Sequence, residues 1–163
     1  MPEGSLGRAY LDFIRGGGLT ADFLVQTSGE VATGARADDV DYIRCRMRDA
    51  HDLWHVVTGY RGDLLGEVAV LSFTFAQIFN VGIGLLVGVG FAKAGEPDAR
   101  RLFVDAFARG ARAAWLPAIP WEQLLAEDLG AIRLRLRVGP PPTYEPFYAR
   151  DLPPGGLFAR RAA

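Results

Sequence analysis

The stretch HDLWHVVTGYRGDLLGE, residues 51–67, organises the rest of the chain. His51 and His55 are four residues apart, so on a helix their side chains lie one turn apart on the same face. Asp52 comes three residues before His55, and Glu67 follows a segment that is broken by glycines. We predict that this segment is a turn and that an aspartate caps the next helix, which brings Glu67 back beside the histidines.

These residue types point to a metal ion. Imidazole nitrogens and carboxylate oxygens suit a borderline divalent ion such as zinc, with manganese or iron as alternatives. We therefore predict one mononuclear site with His51, Asp52, His55 and Glu67 as its ligands. The competing interpretation is a pair of histidines on the polar face of a helix that binds no metal.

The same stretch resembles a known motif. Its spacing, H-D-x-x-H-x(11)-E, is similar to the metal motif of the coenzyme Q biosynthesis protein 4 family. The similarity extends to a Tyr/Arg-rich lead-in at 41–50, the helix that follows at 65–69, a later helix at 120–125 and a proline-rich exit at 140–142. The resemblance therefore covers roughly residues 40–145.

The resemblance implies a function in ubiquinone biosynthesis. It implies a metal-dependent, oxidative decarboxylase that acts at ring carbon C1 of a polyprenylated 4-hydroxybenzoate, at a membrane surface. The carboxylate is lost and a hydroxyl is installed. The alternative is a non-catalytic scaffold that binds prenyl lipids and presents quinone intermediates to other enzymes, with a structural metal. A helical metal hydrolase would share the cluster, but it would need more histidines than this chain has.

Four residues are candidates for contacts with the substrate. Arg48 is one of three alternating arginines before the motif, and its alternative role is a solvated surface residue. Tyr60 lies in the predicted turn, where a structural role is the alternative. Gln77 and Asn80 are polar residues inside an apolar stretch.

That apolar stretch, residues 68–92, contains no charged side chain. It is long enough to span a bilayer, but its polar residues and four glycines favour a buried segment. We predict a core helix over 64–79, a glycine-rich break, and a second apolar segment through residue 91. Alternating small and large side chains would leave a groove or tunnel for a prenyl chain, and ordinary close-packed core is the alternative.

Composition limits the remaining function classes. The formal net charge is −1, so no electrostatic argument favours nucleic acid. One cysteine, Cys45, excludes an intramolecular disulfide framework and fits a reducing compartment. The N-terminus has no basic segment followed by an apolar core, so we predict no secretory signal. We expect a cytoplasmic, bacterial protein that associates peripherally with the membrane, and the apolar excess favours a homodimer.

The predicted fold is an all-α, compact helical bundle with the groove beside the metal site. At 163 residues we expect a single domain: short N-terminal helices in 1–37, a motif-bearing core in 38–139, and a proline/glycine-rich tail in 140–163. Helices are predicted near 6–14, 20–28, 38–57, 64–79, 98–114 and 121–129. Residues 132–138 alternate as a strand would, but no partner strand is apparent, so we predict a helix there.

Overall fold

The computed structural model describes residues 1–16, 46–47 and 50–148, and every regular element among them is helical. The α-helices are α1 (Leu6–Arg15), α2 (His51–Thr58), α3 (Leu64–Ile78), α4 (Val81–Lys93), α5 (Pro97–Arg112), α6 (Trp121–Leu124) and α7 (Leu129–Leu136). A 3₁₀ turn covers Leu116–Ala118. The predicted all-α fold class is therefore confirmed.

Side-chain caps explain where four of these helices begin. Ser5, Asp63, Asn80 and Asp128 each accept a hydrogen bond from a backbone N–H two or three residues further on. Each of these bonds satisfies a donor that the first helical turn leaves without an intrahelical acceptor. Because an N-cap contributes about 1 kcal/mol, these short polar residues help to fix the register of the helices that follow them.

The described residues fall into two compact units, and the first takes its residues from 1–62 and 112–142. Here α1 and α7 both pack against α2. The guanidinium of Arg133 donates to the carbonyls of Val56 and Val57, at 2.9 and 3.0 Å. A cation at the C-terminal end of α2 is favoured by the helix dipole, so this contact holds α7 against the motif helix.

The second unit takes its residues from 63–111 and 143–163, of which the structure describes those up to 148. Helices α3 and α4 form a closely packed antiparallel pair. A Cβ added at Gly84 would lie 2.8 Å from the Phe75 ring, and one at Gly90 would lie 2.7 Å from Val68. Gly84 and Gly90 therefore face α3 and allow the two helices to approach.

Helix α5 completes this unit by packing on α3. The Ser72 hydroxyl donates to the Phe103 carbonyl at 2.8 Å, and the Gln77 amide donates to the Gly110 carbonyl at 2.6 Å. A Cβ at Gly110 would lie 2.4 Å from the carbonyl oxygen of Phe73. The backbones of α3 and α5 are thus in direct contact at this glycine.

Helix α4 departs from the prediction that it is buried. No residue of α4 is buried, and its apolar side chains are exposed: Val81 by 86%, Leu85 by 69%, Leu86 by 51% and Val89 by 45%. Because Gly84 and Gly90 face α3, the large side chains lie on the opposite face. Within the described residues, no helix has both the length and the apolarity needed to cross a bilayer.

Two helix boundaries differ from the predictions. The motif helix begins at His51, although residues 46–47 upstream are also helical. The helix predicted over 121–129 ends at Leu124, because Asp128 caps a separate helix, α7. The helix predicted near 20–28, the loop that follows it and most of the tail lie outside the described residues. The single-domain organisation stays a prediction.

Candidate metal centre

Helix α2 presents the two histidines as the sequence predicts. His51 and His55 are both buried, and their ring centroids are 4.7 Å apart with the rings edge to face. Gly59 ends the helix in the left-handed region, at φ +81°, and its N–H donates to the His55 carbonyl. A Cβ on Gly59 would also lie 2.6 Å from the side chain of Pro141. Only glycine satisfies both conditions at this helix end.

The His55 ring is held in one orientation. Its Nδ1 lies 3.1 Å from the carbonyl oxygen of Tyr60. A carbonyl can only accept, so Nδ1 donates the proton and Nε2 of the neutral ring carries the lone pair. This arrangement is common for metal-binding histidines, because it fixes both the tautomer and the direction of the ligand nitrogen.

Phe13, from α1, supports the same ring. It stacks on His55 with centroids 5.3 Å apart and the ring planes inclined by 22°. Sequence reasoning did not identify this residue, because apolar spacing on α1 marks a packing face without showing which helix it meets. Only the pairing of α1 with α2 reveals it.

Glu67 lies in the first turn of α3 and is partly buried. Among the described residues, His51, His55 and Glu67 form a group that could hold a metal ion, with one ligand atom of each lying within 4.8 Å of the others. Two imidazoles and one carboxylate are a donor set that zinc accepts. The identity of the metal does not follow from these donors.

Asp52 is buried beside this group. Its Oδ1 lies 3.4 Å from Nδ1 of His51, near the upper limit for a hydrogen bond. A carboxylate in that position accepts the Nδ1 proton and leaves Nε2 of His51 to act as a ligand. The role of Asp52 as a direct ligand stays a prediction.

The four predicted substrate contacts have different surroundings. Arg48 lies outside the described residues. The Tyr60 side chain is buried. The Gln77 amide donates to the Gly110 carbonyl, and exposed Asn80 caps α4. Their role in substrate binding stays a prediction.

One ion pair involves an arginine of the predicted lead-in to the motif. Arg46 donates to both carboxylate oxygens of Glu122, at 2.9 and 3.2 Å, and to the carbonyl of Ile119. The hydrogen bond from Arg46 lowers the pKa of Glu122 to about 2. The pair links Arg46 to α6 within the first unit.

Comparison with known proteins agrees with the motif. The family model for the coenzyme Q (ubiquinone) biosynthesis protein Coq4 matches residues 1–142, so the similarity begins well before residue 40, where we expected it to start. The mitochondrial ubiquinone biosynthesis protein COQ4 of Pyricularia oryzae is 31% identical over 150 residues, which cover 87% of this chain and 46% of that protein. The mitochondrial COQ4 homolog of Rattus norvegicus is 30% identical over 148 residues, which cover 88% of this chain and 54% of that protein.

A solved structure shares the fold. The chain aligns with the crystal structure of a candidate ubiquinone biosynthesis protein from Nostoc punctiforme with a TM-score of 0.64 and 26% identity. The alignment covers 86% of this chain and 65% of that one. The chain spans about half the length of the curated relatives that it matches.

Proposed function

The chain belongs to the coenzyme Q (ubiquinone) biosynthesis protein Coq4 family, and on that premise we propose that it is a metal-dependent oxidative decarboxylase. The proposed substrate is a polyprenylated 4-hydroxybenzoate. At ring carbon C1 the bond to the carboxyl carbon breaks, carbon dioxide leaves, and a bond to oxygen forms. The ring loses two electrons, and we propose that dioxygen is the oxidant that accepts them. Written as a whole, the acid, water and dioxygen give the phenol, carbon dioxide and hydrogen peroxide.

One observation supports this proposal most directly: the ligand atoms of His51, His55 and Glu67 lie within 4.8 Å of one another. We propose that these three residues and Asp52 hold one divalent ion, zinc in the first instance, with manganese or iron as alternatives. When bound, such an ion supplies a Lewis acid that polarises a carbonyl or phenolate oxygen. The protein's own contribution is orientation, since the Tyr60 carbonyl and the Phe13 ring fix His55.

The exposed face of α4 supports the membrane part of the proposal. Val81, Leu85 and Val89 follow one another at four-residue spacing, and all three are exposed. The 13 residues of α4 make a helix about 20 Å long, which suits a position in the plane of the interface. We propose that this face rests on a lipid surface, from which a prenylated substrate would enter.

The second candidate function is a non-catalytic scaffold that binds prenylated intermediates. The ligand count favours it: if His51, Asp52, His55 and Glu67 all bind, a tetrahedral zinc has no open position, as in structural sites. In that case the metal would stabilise the fold, and the lipid would bind without reacting.

Metal content tests the proposed centre. We expect about one metal ion per chain in protein purified without chelators, and loss of that ion in His55→Ala. Thr58→Val is the matched control, because Thr58 is buried on the same helix and its hydroxyl donates to the backbone carbonyls of Trp54 and His55. A wild-type protein that binds no zinc, manganese or iron would refute the site.

An activity assay distinguishes the decarboxylase from the non-catalytic scaffold. We expect loaded wild-type protein to release carbon dioxide from a polyprenylated 4-hydroxybenzoate in the presence of dioxygen, with one phenol formed per carbon dioxide. His55→Ala should not do so. Binding of the substrate with full metal loading but without product would favour the scaffold.

Sedimentation with lipid vesicles tests the α4 face. We expect the wild type to sediment with phosphatidylcholine vesicles and the double variant Leu85→Ser/Val89→Ser to remain largely in the supernatant. Leu134→Ser is the control, because Leu134 is an equally apolar residue that is 81% exposed on α7. Equal sedimentation of all three proteins would contradict a lipid-binding role for α4.

A further inference from the structure

The carboxylate of Asp63 makes more contacts than a helix cap requires. Asp63 is fully buried, at 0% exposure. Its Oδ2 accepts from the Leu65 N–H at 3.2 Å, which is the capping bond, and from the Phe147 N–H at 2.9 Å. Its Oδ1 accepts from the Tyr144 hydroxyl at 2.8 Å. Capping accounts for only the first of these three bonds.

The two additional bonds come from a distant part of the chain. Residues 143–148, which we call the strap, run past the beginning of α3 within the second unit. The backbone completes the contact, because the Leu64 N–H donates to the Phe147 carbonyl at 2.8 Å. The strap therefore holds the first residues of α3 through both main-chain and side-chain bonds.

Glu67 lies one helical turn after this anchor. Its N–H donates to the Asp63 carbonyl at 2.8 Å, in the first backbone bond of the helix. The position of Asp63 therefore sets the position and rotation of the turn from which the Glu67 carboxylate extends. A change in the contact between Asp63 and the strap is transmitted to Glu67 within a single turn.

We propose that Asp63, clamped by Tyr144 and Phe147 of the strap, is a positioning residue for Glu67. The proposal rests on the metal centre proposed above. Residues that orient metal ligands typically change metal affinity by 10- to 100-fold when they are removed. A helix cap alone would affect folding and leave the affinity of the folded protein unchanged.

Two substitutions at Asp63 separate the cap from the clamp. Serine and asparagine cap helices about as well as aspartate. Asparagine can also accept from Phe147 and donate to the Tyr144 hydroxyl, whereas serine is too short to reach the strap. We expect Asp63→Asn to keep the metal affinity of the wild type, and Asp63→Ser to lose 10- to 100-fold.

Tyr144→Phe provides a second variant in case Asp63→Ser does not fold. It removes one bond to the carboxylate and keeps the aromatic ring, so we expect a loss of about 10-fold in affinity. Ser72→Ala is the control, because it removes a buried hydrogen bond to the Phe103 carbonyl elsewhere in the same unit. We expect Ser72→Ala to be less stable and to bind metal as the wild type does.

The measurements are the dissociation constant for zinc, by competition with a chelating dye, and the visible spectrum of the cobalt-substituted proteins. Weaker zinc binding and an altered cobalt spectrum in Asp63→Ser and Tyr144→Phe, but not in Asp63→Asn or Ser72→Ala, would support the clamp. Wild-type affinity and spectrum in both Asp63→Ser and Tyr144→Phe would overturn the clamp and leave the metal centre standing. A wild type that binds no metal would overturn the metal centre and the clamp together.

Discussion

Substitution of Gly110 by alanine tests how tightly α5 packs on α3. The new Cβ would lie 2.4 Å from the Phe73 carbonyl oxygen and 3.1 Å from the Ala76 side chain. The first contact is with backbone, so the helices themselves must separate. Overpacking of this kind costs about 1–3 kcal/mol, and we expect the upper part of that range. Alanine recovers about 1 kcal/mol in helix propensity, so the net loss is about 1–2 kcal/mol.

The assay is thermal unfolding, followed by far-UV circular dichroism and by calorimetry. For a chain of this size 1 kcal/mol moves the Tm by about 2–4 °C, so Gly110→Ala should lower it by about 2–8 °C. Gly88→Ala is the control, because no atom lies within 4 Å of its added Cβ. It should raise the Tm by about 2–4 °C. A Gly110→Ala protein as stable as the wild type would refute the packing argument, as would equal losses in the two variants.

Three further predictions concern charge, capping and metal. Arg46→Ala should raise the pKa of Glu122 from about 2 toward 4.5, as measured by NMR titration of the carboxyl carbon. Because the folded-state pKa is depressed, the pair's contribution to stability is present above about pH 4.5 and is lost as the pH falls toward 2. Asp128→Ala should cost about 1 kcal/mol in urea unfolding through loss of the α7 cap, whereas Asp128→Asn should cost little. A chelator should lower the Tm of the metal-loaded wild type, since a ligand at 100 times its Kd stabilises by about 2.7 kcal/mol, and should leave that of His51→Ala unchanged.

Each of these has an outcome that would count against it. An unchanged Glu122 pKa in Arg46→Ala would show that the hydrogen bond is not formed in solution, and Arg101→Ala, on an exposed ion pair in α5, is the control. Equal losses in the two Asp128 variants would mean that capping is not the cause. A chelator response in His51→Ala would place the stabilising ion elsewhere.

Features that depend on neighbouring residues in sequence could be predicted. Helix α3 begins where Asp63 caps it and ends near the predicted position. The stretch 132–138 alternates like a strand, yet Asp128 caps a helix there, and Arg137 ends it in the left-handed region at φ 55°. In the candidate site, the spacing from His51 to Glu67 was enough to predict that these residues meet.

Features that depend on distant partners could not be predicted. Residues 81–92 are uncharged, and nothing in their periodicity shows whether a neighbour covers their large side chains. The supporting contacts to the candidate ligands were missed for the same reason. Phe13 meets His55 only through the pairing of α1 with α2, and Tyr144 meets Asp63 only because the strap returns to α3.

The geometry at Gly59 has an evolutionary consequence. The positive φ disfavours most side chains, and the proximity of Pro141 leaves no room for a Cβ, so two separate conditions favour glycine here. A mutation that replaced Pro141 with a smaller residue would remove its ring but not its Cα, which would lie 2.8 Å from a Cβ on residue 59, and would leave the positive φ unchanged. No single compensating mutation would therefore make another residue acceptable at position 59. Descendants of this sequence should retain glycine four residues after the second histidine even where the surrounding loop diverges.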